Sequence, residues 1–376
     1  MLKNVRVLDM GRYVAGPYCA TLLGYLGADV VRVERPGGGE DRFIAPLHDD
    51  DGGSVLMQTG CNKRSLSLNL RHADSREILD RLARRADVIV ANLPSKFLES
   101  IGFGYERLST LNPGVVLVTQ TAFGADGPWS DRGGFDGVGQ AMSGAAFMTG
   151  TRDKPAKAAA PYVDYCTAAL SAVGALAALI EREQSGKGQH VESSLLGTAL
   201  AVFNSHLIEQ SGLGLNREPT GNRVQTSAPS DVFATQDGHV LMHVVGAGLF
   251  RKLAVLIEAS DWLTDPQLAT DQARGDRRDE LCERVSAWCK GRTTEGVLDA
   301  CAQAGVPAGP VLSLAETLAH PQTQALNLLK QVGYPGRDFG VSVADLPIER
   351  LKDSNAIVCN VTNVRISDRL MTRWGW

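Results

Sequence analysis

The sequence predicts an α/β protein with a doubly wound parallel sheet in its larger, N-terminal part and a smaller α+β domain after it. Apolar strand-like runs alternate with amphipathic helix-like runs over roughly the first 200 residues, which is typical of such a sheet. A polar segment with several Gly and Pro residues then precedes a change of composition. A chain of 376 residues is also too long for one minimal core, so two domains are expected.

The first elements form a βαβ unit. "VRVLDMG" (5–11) predicts a buried strand, "AGPYCATLLGYLGA" (15–28) a helix with Pro17 in its first turn, and "DVVRVERPGGG" (29–39) a strand that runs into a glycine turn. The pattern repeats with the strand "KRSLSLNL", a helix over 75–86, and the strands "DVIVANL" and "GVVLVTQTAFG". Ligands of such a sheet bind at the carboxyl ends of its strands.

The later elements set the domain boundaries. An alanine-rich helix that begins near Asp164 should stop at Gly186 and Gly188, after which "HVESSLL" (190–196) returns as a strand and a mixed helical stretch runs to Glu209. "DVFATQDGHVLMHVVG" predicts a hairpin that turns at Asp237-Gly238, and helices follow to about residue 319. We therefore expect a large domain over 1–210, a linker over 211–228, a small α+β domain over 229–320, and a segment, 321–376, that returns to the large domain.

Charge and composition exclude several classes of protein. With 44% hydrophobic and 21% charged residues, the chain is an ordinary globular one. A formal charge of −4 provides no positive field for nucleic acid, so no nucleic-acid partner is expected and an anionic ligand must meet a local cluster of Arg and Lys.

The cysteines and the apolar runs bear on location. Seven scattered cysteines without C-x-x-C spacing fit buried thiols in a reducing compartment, which predicts a cytoplasmic protein. The N-terminus lacks the apolar core of a signal peptide. The longest apolar run, 165–180, is shorter than the about 18–20 residues of a membrane span, so no membrane anchor is expected.

Motifs for dinucleotides and metals are incomplete. The βαβ unit ends on the acidic Glu34, as in a dinucleotide fingerprint, but Gly11 and Gly16 are five residues apart and G-x-G-x-x-G is missing. Glu34 fits a strand-end ion pair as well, and an NAD-dependent dehydrogenase remains the competing class. His239 and His243 are four apart on a predicted strand, and two surface histidines explain them better than a metal site. No metal is expected.

Asp164 is the one carboxylate at the start of a long uncharged run. Its residue type and place fit a helix N-cap, because Asp is a preferred cap and its charge is favoured by the helix dipole. They also fit a nucleophile, since a carboxylate held at a helix N-terminus is oriented toward an activated acyl carbon. The spacing alone leaves both interpretations open.

Several ordered stretches together resemble the class III CoA-transferase family, which includes formyl-CoA transferase, carnitine CoA-transferase and the α-methylacyl-CoA racemases. They are "VLDMGRYVAGPYCATLLGYLGADVVRVERPGGGEDRF" (7–43), "NKRSLSLNL" (62–70), "ADVIVANL" (86–93), "LNPGVVLVTQTAFGADGPWSDRGGFDGVGQAMSG" (111–144) and "VDYCTAALSAVGALAALIEREQSGKGQHVESSLL" (163–196). The resemblance implies a Rossmann-like large domain, an interlocked homodimer of two ring-like subunits, and transfer of CoA between an acyl-CoA and a carboxylic acid with no tightly bound cofactor. It also implies that Asp164 is the nucleophile, through a mixed anhydride and an aspartyl-CoA thioester.

The resemblance further implies a set of residues that contact coenzyme A: Val14, Arg35, Lys63, Arg64, Asn92 and Leu93. A solvated turn remains the alternative for Lys63 and Arg64. Val14 replaces a glutamine of formyl-CoA transferase, which argues against formate or oxalate as substrate.

Phe135 stands where the racemases of this family carry a histidine. A phenyl ring cannot exchange protons, so a 2-methylacyl-CoA racemase is the less favoured alternative within the family. A non-catalytic partner subunit is a further alternative, against which the presence of Asp164 argues.

Overall fold

A computed structural model describes residues 1–47, 52–333, 339–348 and 363–364. By their contacts these residues divide into two compact units. The first contains Met1–Ala145, Ala158–Gly212 and the described residues from Gln322 onward, and the second contains Ala146–Lys157 and Leu213–Pro321.

The described residues form twelve strands: β1 (Arg6–Asp9), β2 (Asp29–Glu34), β3 (Lys63–Ser67), β4 (Val88–Ala91), β5 (Val116–Thr121), β6 (His190–Ser194), β7 (Ser230–Ala234), β8 (His239–His243), β9 (Ala308–Pro310), β10 (Leu329–Gly333), β11 (Gly340–Ala344) and β12 (Asn363–Val364). Helices of the first half are α1 (Ala15–Tyr25), α2 (Ser54–Thr59), α3 (Ser75–Arg85), α4 (Ser95–Ser100), α5 (Tyr105–Leu111), α6 (Asp136–Met142), α7 (Ala145–Thr149), α8 (Tyr162–Ser185), α9 (Leu195–Val202) and α10 (Asn204–Leu213). Those of the second half are α11 (Ala247–Leu256), α12 (Ser260–Thr264), α13 (Asp271–Asp276), α14 (Arg278–Lys290), α15 (Thr294–Ala304), α16 (Leu314–Ala319) and α17 (Pro321–Ala325).

The first unit is built on a seven-stranded sheet in the order β12-β3-β2-β1-β4-β5-β6, in which every neighbouring pair is parallel. From β3 to β6 this is the strand order of the doubly wound Rossmann fold, so the predicted fold class of the large domain is confirmed. The order reverses between β1 and β4, and ligands of open α/β sheets bind at the carboxyl ends of the strands beside such a reversal.

Both faces of this sheet are covered, because successive residues of each strand point to opposite sides. In β1, Val7 joins an apolar cluster with α1 and α8, whereas Leu8 joins a second cluster with α3. Val88 and Ile89 divide in the same way in β4. The apolar character of these strands at every position, rather than at alternate positions, follows from this double burial.

The second unit contains a three-stranded antiparallel sheet, β7-β8-β9, with its own apolar core. The predicted hairpin is confirmed: β7 and β8 pair across a turn in which Thr235 N donates to Gly238 O at 3.0 Å. Along β8 buried and exposed residues alternate, and His239 and His243 lie on the exposed face.

Three sequence-based boundaries differ from the structure. Leu195 and Leu196 begin α9 and do not extend β6, because the Ser194 hydroxyl accepts from Gly197 N and caps a helix there. Residues 146–157, expected in the large domain, belong to the second unit. Residues 213–228, expected to be a linker, belong to that unit too, where Arg223 pairs with Asp231 and Asp279.

The C-terminal segment was expected to return to the large domain. Its described parts belong to the first unit: Val332 and Val343 share an apolar cluster with Tyr25, and β12 pairs with β3. The rest of the predicted strand-like tail lies outside the described residues.

Helix α8 is longer than the apolar run in the sequence indicates. Its 24 residues make it the one described helix whose length and apolar composition would allow a membrane crossing. Half of its most apolar stretch is buried inside the chain, as in the core helix of a globular fold. The expectation that the chain has no membrane anchor stays a prediction.

Candidate active site

The carboxyl ends of β1, β4 and β5 bring three loops together at one edge of the sheet. After β4, the Asn92 side chain accepts from Arg12 N at 2.6 Å and donates to Arg12 O at 2.8 Å, so it holds the loop that follows β1. At the end of β5, Gln120 Nε2 donates to Ala15 O at 3.3 Å. Ala15 in turn shares an apolar cluster with Val163, at the start of α8. The N-termini of α1 and α8 therefore meet at this edge.

The loop between β1 and α1 is tight. A Cβ atom on Gly16 would lie 2.9 Å from Gly11 Cα and 2.9 Å from Asn92 Oδ1, so no side chain fits at this position. The five-residue spacing of the two glycines concealed this close approach from the sequence analysis. Tyr13 adopts a left-handed conformation with φ of 60°, which is strained for a residue with a side chain. It makes an edge-to-face contact with Phe135 at 5.1 Å between ring centroids.

Asp164 lies inside α8 and not at its N-cap. Pro161 is the N-cap residue, and Asp164 is the third residue of the helix. The N-cap interpretation of Asp164 was therefore wrong. The residue is only 8% exposed, and in the described part of the chain no group donates a hydrogen bond to its carboxylate.

The first backbone N–H groups of α8 donate hydrogen bonds to acceptors other than the Asp164 carboxylate. Asp136 Oδ2 accepts from Val163 N at 2.7 Å and from Asp164 N at 3.2 Å. Tyr162 N and Tyr165 N donate to the backbone carbonyls of Ala160 and Pro161. Asp136, the first residue of α6, therefore caps α8 from a distance of 28 positions in the chain.

The surroundings of Asp164 disfavour its charge. Burial, followed by repulsion from the Asp136 carboxylate, raises the pKa of Asp164 from 3.8 to about 7. A carboxyl group whose pKa lies near neutrality, in a region where ligands of this fold bind, is a candidate catalytic group. It is half ionised near pH 7 and more basic than an ordinary aspartate.

Asp136 and Gln140 are site residues that the sequence analysis did not identify. Gln140 Nε2 donates to Asp136 Oδ1 at 2.5 Å, and Gln140 Oε1 accepts from Ala158 N at 2.8 Å. Asp and Gln four apart in "DGVGQ" are the only sequence signal, since they lie on one face of a helix.

Lys63 and Arg64 do not fit the predicted contact with CoA phosphates. Both residues begin β3, whereas ligands bind where the strands end. The Lys63 ammonium group is buried, at 2.7 Å from Asp9 Oδ2 and 2.5 Å from Pro17 O, and this burial lowers the pKa of Lys63. Arg64 pairs with Asp29 at 2.6 Å at the opposite edge of the sheet.

The other predicted contact residues lie at the expected edge, but in different settings. Arg35 follows β2 and is half exposed, paired with Glu40 at 2.7 Å. Val14 is buried as the N-cap residue of α1, and Leu93 packs against the apolar cluster that contains Leu8. The Asn92 amide is occupied by the Arg12 backbone, so its side chain positions a loop.

The features that suggested other ligands have structural explanations. Glu34 is buried and accepts two hydrogen bonds from Arg42 and one from Ser65, and these partners together with Arg32 lower its pKa to about 2. It is therefore a strand-end ion pair, and the dehydrogenase hypothesis loses the residue that would bind a ribose. Among the described residues, no group of three or more His, Cys, Asp or Glu side chains could hold a metal ion.

Comparisons with known proteins find related sequences and a related solved structure. Succinyl-CoA–D-citramalate CoA-transferase of Chloroflexus aurantiacus is 35% identical over 325 residues, which cover 85% of this chain and 80% of that protein. Succinyl-CoA:mesaconate CoA-transferase of Haloarcula marismortui is 33% identical over 357 residues, covering 93% and 89%. The crystal structure of a CaiB/BaiF family protein from Brucella suis matches with a TM-score of 0.84 and 28% identity over 99% of both chains.

The family model for CoA-transferase family III matches residues 2–356, which is nearly the whole length of the chain. Enzymes of this family use CoA thioesters and carboxylic acids as substrates, and the site described above lies in the matched region. The chain belongs to CoA-transferase family III and is an enzyme of that class.

Proposed function

We propose that the protein transfers CoA from an acyl-CoA to a free carboxylic acid with Asp164 as the nucleophile. The observation that carries this proposal is a buried carboxyl group in the first turn of α8, to which no described residue donates a hydrogen bond and whose pKa is raised to about 7. A carboxylate that is not solvated or hydrogen-bonded is a stronger nucleophile than one in water.

Each step exchanges one acyl bond for another. The ionised Asp164 oxygen attacks the thioester carbon, the C–S bond breaks, and CoA leaves as a thiolate from a mixed anhydride. The thiolate then attacks the Asp164 carbonyl carbon, the donor acid leaves as a carboxylate, and an aspartyl-CoA thioester remains. An acceptor carboxylate reverses the two steps. The energy of the thioester is conserved throughout, so neither ATP nor a tightly bound cofactor is needed.

Three exposed cations at the binding edge are proposed to contact the phosphates of CoA in place of Lys63 and Arg64: Arg35 after β2, Lys96 after β4 and Arg132 after β5. Arg35 and Lys96 are paired with the exposed carboxylates Glu40 and Asp131. Exposed pairs contribute about 0–1 kcal/mol, so a phosphate can replace the carboxylate at little cost.

The assembly and the location are part of the proposal. Helix α10 has no buried residue, and large apolar side chains on α8 and α9, such as Val173 and Val202, are exposed. Such surfaces are commonly covered by another protein surface, and we propose a second copy of the chain, in an interlocked homodimer. The six described cysteines form no disulfide with one another and five of them are buried, which supports a reducing, cytoplasmic location.

The test combines substitution with chemical trapping. The wild-type protein is incubated with succinyl-CoA, the donor in the names of the two relatives above, together with a panel of carboxylic acids. Hydroxylamine is added to convert an anhydride or aspartyl thioester into a hydroxamate. Peptide mass spectrometry should locate the hydroxamate at Asp164, and the Asp164→Asn variant should be folded, unmodified and nearly inactive.

Asp74→Asn is the matched control, because it makes the same change at the start of another helix, α3, where the carboxylate is exposed. It should transfer CoA at the wild-type rate. If Asp164→Asn also transfers CoA at close to that rate, Asp164 is not the nucleophile.

A further inference from the structure

We propose that Asp136 is a positioning residue for CoA transfer: it binds the N–H groups of Val163 and Asp164, so that the Asp164 carboxylate faces the reactants without a hydrogen bond from any described residue. This inference rests on the proposed role of Asp164. It adds a residue on another helix, α6, that sets the state of the nucleophile.

The backbone N–H groups in the first turn of α8 support this inference. A helix begins with four N–H groups that lack intrahelical partners, and an Asp in the first turn is usually stabilised by them. Here Val163 N and Asp164 N donate to Asp136, and Tyr162 N and Tyr165 N donate to backbone carbonyls. The N-cap residue Pro161 has no N–H, and Tyr165 N makes the first bond within the helix. The three remaining groups are all bound, and the stabilisation that would normally reach Asp164 goes to Asp136.

Asp136 is itself held in place. Its second oxygen accepts from Gln140 Nε2, and Gln140 Oε1 accepts from Ala158 N, in the segment that leads into α8. The pair therefore fixes both the segment before α8 and its first turn. Asp136 accepts three hydrogen bonds, and its charge acts on Asp164 across the shared turn.

Other ionisable groups lie on α8 and on the described elements that pack against it. Tyr162, Tyr165 and Cys166 share α8 with it, Tyr18 on α1 contacts Tyr165 at 4.8 Å between ring centroids, and β6 carries His190 and Glu192. Burial is the larger cause of the raised pKa of Asp164, and among the described groups Asp136, on α6, is the one whose charge raises it further. Removal of that charge should therefore shift the ionisation of Asp164 toward lower pH.

The test uses Asp136→Asn, which keeps an oxygen to accept from the N–H groups of α8 and removes the charge. The pH at which kcat/KM for acyl-CoA is half maximal should move down from about 7, and the pH midpoint of hydroxylamine trapping should move with it. Asp136→Ala also removes the cap and should lower the maximum rate further. An unchanged midpoint in Asp136→Asn would overturn the proposal, whether or not Asp136→Ala folds.

A measurement that needs no catalysis separates this proposal from the nucleophile hypothesis. The difference in unfolding free energy between wild type and Asp164→Asn is followed against pH, first alone and then in an Asp136→Asn background. The pH dependence of the difference reports the ionisation of Asp164 in the folded protein. It should shift to lower pH in the second background. If Asp164→Asn is active but this shift occurs, only the nucleophile hypothesis fails. If the shift is absent, the role of Asp136 is refuted.

Discussion

Asp164 shows how one residue type serves opposite purposes at the start of a helix. As a cap it would accept N–H groups, stay ionised and stabilise the fold. In α8 those groups are bound by other acceptors, and Asp164 is instead a buried acid whose charge is disfavoured. The two interpretations therefore predict opposite effects of pH on stability.

Replacement of Asp164 by Asn should stabilise the protein at and above neutral pH. The folded-state pKa of about 7 lies above the ordinary 3.8, so the folded protein binds the proton more tightly than the unfolded chain. That contribution to stability is fully present below pH 3.8 and is lost as the pH rises through about 7. Relative to Asp164→Asn, the wild type should lose up to about 4 kcal/mol of unfolding free energy as the pH rises from 3.8 to about 7. Urea unfolding at several pH values measures this loss. A capping Asp would instead make the wild type the more stable protein above pH 4.

Phe135 bears on whether the enzyme can exchange the α-proton of an acyl-CoA. It is 59% exposed at the binding edge, precedes Asp136 directly and contacts Tyr13. Because a phenyl ring cannot carry a proton, the enzyme should not exchange the α-proton of a chiral 2-methylacyl-CoA. Incubation in deuterated water without an acceptor acid should leave Cα free of deuterium by mass spectrometry. Incorporation of deuterium under these conditions would favour the racemase alternative.

At the scale of elements, the first residue of β3 has a structural role. Lys63 lies in a buried ion pair with Asp9, and through Pro17 O it joins the start of β3, the end of β1 and the first turn of α1. Arg64, its neighbour in the chain, forms a partly exposed pair with Asp29. Removal of Lys63 would thus leave a buried carboxylate, Asp9, whereas removal of Arg64 would leave a partly exposed one, Asp29.

Lys63→Met should therefore destabilise the protein by about 3–5 kcal/mol, because Asp9 remains buried and charged without its partner. Arg64→Met is the matched control and should cost no more than about 1 kcal/mol. Chemical denaturation measures both. Restoration of stability in the double variant Asp9→Asn/Lys63→Met would identify the buried charge as the cause, and a single-variant cost equal to that of Arg64→Met would contradict this account.

The elements that the sequence predicts best are those with many apolar contacts. The sequence predicts strands β1, β4 and β5 and helices α1 and α8, because burial on both faces of the sheet leaves continuous apolar runs. Short helices such as α6 are too brief for a periodic pattern. Asp136 could not be found in the same way, since its role depends on contact with a helix 28 positions away. Residues 146–157 are likewise assigned by contacts that no local pattern encodes.

At the scale of the whole molecule, the first unit leaves apolar helix surfaces exposed. Ile180 on α8 and Ile208 on α10 are more than half exposed, and α10 buries none of its residues. Isolated helices are marginally stable in water, and most of their stability in proteins comes from packing of an apolar face. A helix such as α10 therefore needs a partner surface to be stable, and the proposed second copy of the chain would supply it.

The protein should therefore run at about twice 40.2 kDa by light scattering and remain a dimer on dilution. Threaded rings separate only when one of them unfolds, so two separately purified preparations with different tags should form no hybrid dimers when mixed. Co-expression of the two tagged chains, or joint refolding from denaturant, should produce hybrids and serves as the positive control. A monomer–dimer equilibrium at micromolar protein, or free exchange of tagged subunits, would show that the subunits associate side by side or not at all.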